Sequence, residues 1–502
     1  MWFLYDNIVT FLIAGVACTL AWLFGGTMGN WLIPVVPWML VLLLEGMLCF
    51  PQRHQGESTY EARERVWYRL KHDPLTWVTI GFLVLLMIPF LNTGLCQICD
   101  YAAIKFEKAD PSPTVPFLPF CVSRMDHFNV VLWFLPSLVG MLAVKHALLK
   151  RGKRLLLELI VWNGVGLSLI GLIQSVTGAQ YPLWADIKTP PAYFFSTFGY
   201  PNMGGDYFTT LFALAVALWR WKLDVIRQDE RSQDSESARL ARHKLFWRKH
   251  LMLVPAVIFF FSALTTLSRA AIILVTILAI SFFLHAFASA FVRMPRAKRV
   301  KASAAGLFGL VCITLCTMLF MPDDLRREVD SLNTTTVLDR VTGKGQYHVR
   351  VATEIWKDYP FFGCGGWGYK HFCVPKMTDV EIKSLQRVGG INVHNDYLQF
   401  LAEHGLVGFG CLVTMVVLLV WPLGRIWRAL MAAVRFTPPK QQPAKPLAIF
   451  VLPAPVFCIL LAAAATFIHG FGDCPFRSPA VLMLFYAMLA AMDGFLPRLK
   501  GE

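Results

Sequence analysis

The sequence predicts an all-α polytopic membrane protein, and three observations carry that prediction. Hydrophobic residues make up 56% of the 502 residues and charged residues 16%, whereas a soluble domain has about a quarter charged residues. The apolar residues fall in blocks of about 20, the length that crosses roughly 30 Å of hydrocarbon as a helix. The basic residues gather between alternate blocks. Because backbone polar groups find no water inside lipid, each block should be helical.

About twelve blocks are expected to be transmembrane helices. The first block is too long and too weakly flanked by basic residues for a cleaved signal peptide. Two blocks meet at Ser268–Arg269 with almost no loop between them. The predicted spans are 7–25, 31–50, 75–95, 128–148, 155–177, 204–222, 251–267, 270–291, 302–321, 406–424, 447–467 and 479–496.

Charge sets the orientation of these spans. With the amino terminus in the cytoplasm, most of the 47 Lys and Arg residues fall on inner segments, as the positive-inside rule requires. Both termini are then cytoplasmic. This topology accounts for most of the net charge of +15. It leaves no soluble basic face of the kind that binds nucleic acid, so no nucleic-acid partner is expected.

The chain is expected to form a single integral membrane domain, 1–502, with its unusual features on the outer side. The loop 322–394, between predicted spans nine and ten, is the only outer loop large enough to cap a site. Within it, about Gln346 to Asp358 has a helical pattern that Pro360 ends. A glycine-rich turn follows. The predicted helix and turn should form part of the cap.

Six cysteines lie on the predicted outer side, where disulfides are permitted. Cys364 with Cys373 would tie one segment, and Cys96 or Cys99 with Cys121 would tie another. Cys474 is the sixth. The Cys96-x-x-Cys99 spacing is also found at zinc sites, but no second pair follows, so no metal and no cofactor are expected.

Two polar positions stand out at the outer membrane edge. Few ionisable residues lie deep in the spans, which argues against an ion pathway. Arg269 sits between two apolar blocks, where a guanidinium either binds lipid headgroups or faces inward to hold a phosphate. His394 begins the sequence HNDYLQFLAEHGLVG, at the predicted start of a helix beneath the long loop. His348 and His371, within that loop, are expected to be solvated.

Five segments in order resemble the O-antigen ligase and polymerase superfamily. They lie between Phe195 and Met492, well over half the chain. They are STFGYPN (196–202), TLSRAA (266–271), DYPFFGCGGWGY (358–369), HNDYLQFLAEHGLVG (394–408) and HGFGDCPFRSPA (469–480). The resemblance implies a GT-C-like membrane glycosyltransferase of the bacterial inner membrane, with its active site facing the periplasm.

The resemblance also implies a reaction. Such enzymes transfer a glycan from a polyprenyl (undecaprenyl) diphosphate carrier to a hydroxyl at the outer face, with inversion and without a metal. The acceptor is lipid A-core in ligases, the favoured reading here, and a carrier-linked glycan in O-antigen or exopolysaccharide polymerases. The expected partners are therefore the donor, a lipid or glycan acceptor and membrane lipids.

The family's functional residues map onto particular positions of this chain. Arg269 matches the arginine of the family's Ser-Arg motif, which holds the diphosphate, and His394 matches the histidine that serves as base. Arg340 and Arg350 compete for the role of a further diphosphate-binding arginine in the long loop. Arg477 either reaches the diphosphate or pairs with Asp473, and the sequence leaves both readings open.

The chemistry of these residue types fits such a transfer. Diphosphate leaves readily once arginines neutralise its charge, and a neutral imidazole can take the proton of a sugar hydroxyl. A helix dipole next to His394 would disfavour its protonated form. Asn395 and Asp396 are expected to satisfy the free amides of that helix start. Glu403, further along, either orients a partner or closes a buried ion pair.

Rival readings come from other classes of protein. A flippase or transporter of lipid-linked glycans would place charged residues along the membrane midplane and show internal symmetry, and the sequence shows neither. A non-enzymatic scaffold and a protein-glycosylating relative are weaker alternatives. Convergence of Arg269 and His394 on one cavity would separate a transferase from a transporter. In the transferase reading, the isoprenoid chain enters sideways between helices.

Overall fold

A computed structural model of the chain describes most of its residues, and every named element in it is a helix or a short 3₁₀ turn. The described residues are 6–23, 25, 29–92, 113, 115, 117–184, 194–232, 250–291, 295–319, 347–388, 392–436 and 452–496. Within these ranges the predicted all-α class is confirmed.

In the first half of the molecule, the described ranges form seven helices. They are α1 (Ile8–Trp22), α2 (Gly29–Cys49), α3 (Thr59–His72), α4 (Pro74–Met87), α5 (Arg124–Ala147), α6 (Lys150–Thr177) and α7 (Pro201–Ser232). The sequence did not predict α3. The Ser58 hydroxyl and the Glu61 carboxylate form a capping box at its start, which satisfies two amides that the helix leaves open.

The described part of the second half carries nine helices. They are α8 (Leu253–Thr265), α9 (Arg269–Phe291), α10 (Arg296–Leu319), α11 (Tyr347–Asp358), α12 (Gly368–Phe372), α13 (Asp379–Val388), α14 (Asp396–Phe436), α15 (Ala454–His469) and α16 (Pro479–Ala491). The break between α8 and α9 lies where the sequence placed it, at Ser268–Arg269.

A helix lies at each of the twelve predicted positions. Whether each helix crosses the membrane depends on its length and apolar composition. Within the described residues, seven helices are long and apolar enough to cross a bilayer. The bent pair formed by Thr59–His72 and Pro74–Phe90, with an angle of 68° between its halves, would make eight. α1, α8 and the segment Pro479–Phe495 are apolar but shorter. The molecule is a multi-pass membrane protein, and the count of twelve stays a prediction.

Two helices form the centre of the bundle. Every residue of α16 is buried, and the segment 203–218 of α7 is buried on all its faces. A helix that is apolar all round has to be surrounded by others. α16 packs against α5, and α7 packs against α8 and α15. The first turns of these two central helices lie beside the polar residues described below.

The long loop contributes a second, smaller core outside the bundle. Val351, Ala352 and Ile355 form the buried face of α11, and they pack with Tyr369 and Ala402. Cys364 and Cys373 lie in this core as free thiols, so the expected bridge between them is not formed. Cys121 and Cys474 are free as well, and Cys96 and Cys99 lie outside the described residues.

Glycines join this small core to α14. The Cys364 and Gly365 amides donate hydrogen bonds to the carbonyls of Ala402 and Glu403. Gly405 interrupts α14 with φ 62° and ψ −172°, a conformation that residues with a Cβ strongly disfavour. A Cβ at Gly405 would lie 2.3 Å from the backbone of Phe361. The glycine-rich turn and the break in α14 therefore pack against each other, backbone to backbone.

Candidate active site

His394 lies at the entrance to α14, held in an unusual backbone conformation. Its φ is +53°, in the left-handed region that few residues with side chains adopt. The Asn395 side chain caps the helix by accepting a hydrogen bond from the Leu398 amide at 3.0 Å, as the sequence predicted. The same side chain donates to the Phe471 carbonyl. His394 is thereby fixed between the long loop and the turn that follows α15.

Asp473, on that turn, is the carboxylate closest to His394. The two atoms, His394 Nδ1 and Asp473 Oδ1, are 3.6 Å apart. The Tyr200 hydroxyl donates to Asp473 at 2.9 Å, and the Asn202 amide also donates to it. The Cys474 backbone amide donates at 2.7 Å. Four groups from three segments thus hold this carboxylate in place.

The contact between His394 and Asp473 shifts both pKa values so that the charged form of each side chain is favoured. Asp473 raises the pKa of His394 above its usual value, more than burial lowers it. Burial opposes ionisation of Asp473, but His394 still holds its pKa below the usual value. The sequence predicted that the helix dipole would disfavour the His394 imidazolium; the nearby carboxylate outweighs that effect. The result is a stronger base than an isolated imidazole.

Asp396 does not cap α14 as the sequence predicted. It is fully buried, and its carboxylate accepts a hydrogen bond from the Phe476 amide at 2.8 Å. Its own amide donates to the carbonyls of Gly470 and Asp473. Asp396 therefore fastens the turn 470–476 to the start of α14, and Asn395 alone provides the cap.

Arg477 and Glu403 form a buried ion pair. The guanidinium donates to the Glu403 carboxylate at 2.6 Å, with both side chains at most 3% exposed. Trp367 and Phe400 cover the cation, the Trp367 ring centroid lying 4.8 Å away. The alternative pairing of Arg477 with Asp473 does not occur. Of the two readings for Glu403, the structure has the buried ion pair, and a diphosphate would have to compete with Glu403 for Arg477.

Arg269 occupies the exposed first position of α9. The buried Ser268 hydroxyl accepts a hydrogen bond from the Ala271 amide and caps the helix. Gly205 lets α7 approach closely here, because a Cβ at that position would collide with both Ser268 and Ala271. Gly205 is one turn from Asn202, which contacts Asp473. Arg269 and His394 therefore lie at the same end of the bundle.

The long-loop arginines are placed differently. Arg350 is on the exposed face of α11, where its guanidinium pairs with Glu354 at 2.8 Å and with Glu381 at 2.9 Å. Those contacts raise its pKa. With two carboxylates already bound, Arg350 is poorly suited to a diphosphate. Arg340 lies outside the described residues.

Sequence reasoning missed the role of Tyr200 and the burial of two histidines in the long loop. Tyr200, for which no role was expected, donates a hydrogen bond to Asp473. His348, expected to be solvated, is partly buried with its ring centroid 6.4 Å from that of His394. His371 is 2% exposed and pairs with Asp126 at 2.8 Å. The presence of Tyr200 in the segment STFGYPN was the one signal that could have pointed to it.

His394, Asp473 and Cys474 are also a group that could hold a metal, their ligand atoms lying within 4.8 Å of one another. The donor set fits a metal poorly. Both Asp473 oxygens already accept hydrogen bonds from protein groups, and burial raises the pKa of the Cys474 thiol well above its usual value. A metal would have to displace those donors and deprotonate that thiol.

An apolar groove lies along α14. Its volume is about 150 Å³, and its walls come from α5, α14, α15, α16 and the turn before α16. Tyr397, three residues after His394, and Val417, near the middle of α14, both line it. The lining offers an acyl or isoprenoid chain an apolar surface.

Fold and site together define a multi-pass membrane protein with a histidine–carboxylate pair at one end of its bundle. Residues 254–413 match the family model described as O-antigen ligase. These residues are about a third of the chain, and their similarity to the O-antigen ligase family supports the resemblance seen in its motifs. At the family level this indicates a membrane enzyme of the O-antigen ligase or polymerase type. No curated protein sequence matches the chain.

Proposed function

We propose that the protein transfers a glycan from a polyprenyl diphosphate carrier to a hydroxyl acceptor at the outer face of the bacterial inner membrane. The family match supports a glycosyltransferase of this type. The observation that carries the proposal is the His394–Asp473 pair, which lies at the same end of the bundle as Arg269. Tyr397, three residues after His394, lines an apolar groove.

The first step is deprotonation of the acceptor. With Nδ1–H directed at Asp473, the Nε2 lone pair of His394 is available to a sugar hydroxyl. A histidine oriented by a carboxylate is the usual arrangement for activating a hydroxyl nucleophile. His394 is 40% exposed, so an acceptor can reach it. The hydroxyl proton passes to Nε2 as the oxygen attacks.

The second step is loss of the carrier. The acceptor oxygen forms a bond to the anomeric carbon while the bond from that carbon to the diphosphate oxygen breaks, which inverts the configuration. The electron pair leaves with the polyprenyl diphosphate. Arg269 would stabilise the negative charge that develops there, because a guanidinium binds two phosphate oxygens at once. His394 then returns its proton to water.

The apolar groove supports a lipid-linked donor. Its lining is almost entirely aromatic and aliphatic, and burying each methylene of a chain contributes about 0.8 kcal/mol. A chain in the groove would leave its diphosphate near the helix starts that carry His394 and Arg269. A water-soluble sugar nucleotide has no apolar chain that could bind to this surface.

The test is transfer by the purified protein. A polyprenyl-diphosphate glycan is supplied with either lipid A-core or a second carrier-linked glycan, and products are separated by size. Glycan on lipid A-core would identify a ligase, and an extended carrier-linked glycan would identify a polymerase. No product with either acceptor, from protein that is folded and binds the donor, would contradict the proposal.

A further inference from the structure

His348 is the second histidine at this site, and the long loop supplies it. It lies in the first turn of α11, whose buried residues Val351, Ala352 and Ile355 anchor the helix in the outer core. Its ring stands edge-on to that of His394, with the centroids 6.4 Å apart. The side chain is partly buried. The loop thus brings a second imidazole next to His394.

The protonation of His348 follows from its surroundings. Its Nδ1 lies 2.8 Å from the Tyr369 hydroxyl, which is also 3.5 Å from the His348 carbonyl. A hydrogen bond donated by Tyr369 to Nδ1 places the hydrogen of the neutral ring on Nε2, and we assign this tautomer to His348. Burial, and then the charge of His394, lower the pKa of His348 to about 4. Near neutral pH it is an uncharged hydrogen-bond donor.

The role of such a donor depends on what His394 binds. A hydroxyl that His394 deprotonates must come within about 3 Å of its Nε2. The rest of that sugar extends beyond the base, and a ring centred 6.4 Å from His394 is at the right distance to contact a neighbouring oxygen. Tyr347, whose ring is tilted against that of His348 with 4.1 Å between centroids, adds an aromatic surface of the kind that sugar rings contact.

We propose that His348 binds the acceptor glycan, donating a hydrogen bond from Nε2 to a sugar oxygen next to the hydroxyl that His394 deprotonates. This rests on the proposed transferase function. Tyr369 is a positioning residue for His348, since it is fully buried and fixes which nitrogen faces the ligand. The donor diphosphate is expected at Arg269, so His348 should affect the acceptor and not the donor.

The experiment compares His348→Phe with His348→Gln. Phenylalanine keeps a ring but cannot donate, whereas the glutamine amide can. With the acceptor that the wild-type protein uses, lipid A-core or carrier-linked glycan, His348→Phe should raise the acceptor KM roughly five- to tenfold, the effect of losing one hydrogen bond. The donor KM should stay unchanged, and kcat should change less than threefold. His348→Gln should recover at least half of the lost affinity on a logarithmic scale.

His371→Gln is the matched control, a buried histidine of the same loop that pairs with Asp126. It should lower the melting temperature without a selective change in the acceptor KM. The inference is overturned if His348→Phe leaves the acceptor KM unchanged, changes both KM values equally, or is not rescued by glutamine. A wild-type protein that transfers nothing would instead be a failure of the proposed function, so the two outcomes are distinguishable.

Discussion

Two histidine–aspartate pairs in this protein differ in their access to solvent. Each has one member on the same segment, where His469 and Asp473 are four residues apart. His394 and Asp473 meet at the surface of the site, where the histidine is 40% exposed. His469 and Asp206 meet at 3.1 Å inside the bundle, with both side chains at most 1% exposed. The same two residue types are thus placed once within reach of a substrate and once beyond it.

The closed pair supports the open pair. Asp206 is on α7, and it also accepts a hydrogen bond from Thr466 of α15 at 3.0 Å. His469 ends α15, and its carbonyl accepts a hydrogen bond from the Asp473 amide. The buried contacts therefore fix the end of the helix from which Asp473 projects. Chemistry is expected at the pair with access, and structural support at the pair without it.

The largest predicted effect is that of His394→Ala. Loss of a general base should reduce the transfer rate by roughly 10²- to 10⁴-fold, to a level near the detection limit. Because the side chain is at the surface, fold and donor binding should be retained, which a melting curve and a donor-binding titration would check. Turnover close to wild type in this variant would show that the exposed pair is not the catalytic one.

The next effect is that of Arg269→Lys. A lysine keeps the charge but loses the planar fork that binds two phosphate oxygens, so kcat/KM for the donor should fall by roughly 10- to 100-fold. Arg350→Lys is the matched control, since Arg350 is already paired with Glu354 and Glu381, and it should change kcat/KM less than threefold. A larger loss of kcat/KM in Arg350→Lys than in Arg269→Lys would indicate that the long loop, and not α9, binds the diphosphate.

The smallest effect on transfer is expected for His469→Ala. The variant removes a buried hydrogen bond within the membrane bundle, which costs about 1 kcal/mol, so the melting temperature should fall. Turnover, measured well below the melting temperature, should stay within about tenfold of wild type. If folded His469→Ala were as inactive as His394→Ala, the distinction between the two pairs would be wrong.

The positions of the helices and of His394 were predictable because they depend on local patterns. Blocks of apolar residues mark a helix wherever they occur, and His394 stands in a segment typical of the family. The number of spans is harder, because α8 and α1 are apolar but shorter than a bilayer requires. Composition alone does not say whether such a helix crosses.

The partners of the charged residues were not predictable, because they are distant in the chain. Glu403 and Arg477 are 74 residues apart, and Tyr200 reaches Asp473 across 273 residues. The sequence left open whether Arg477 pairs with Asp473, since both lie on one turn. His348 and His371 were expected to be solvated. In the folded loop, His348 is partly buried beside Tyr369, and His371 is buried against Asp126, which is 245 residues away in the chain.

The pH dependence of transfer by the wild-type protein and by Asp473→Asn tests the central claim most directly. His394 acts as a base only when neutral, so the rate should rise with pH through its raised pKa. Asparagine removes the carboxylate that raises this pKa, so the rising limb should move to lower pH, toward the ordinary value of about 6.5. The plateau rate should fall by about 10²- to 10⁴-fold, because His394 loses the group that orients it. An unchanged limb and plateau would contradict the account.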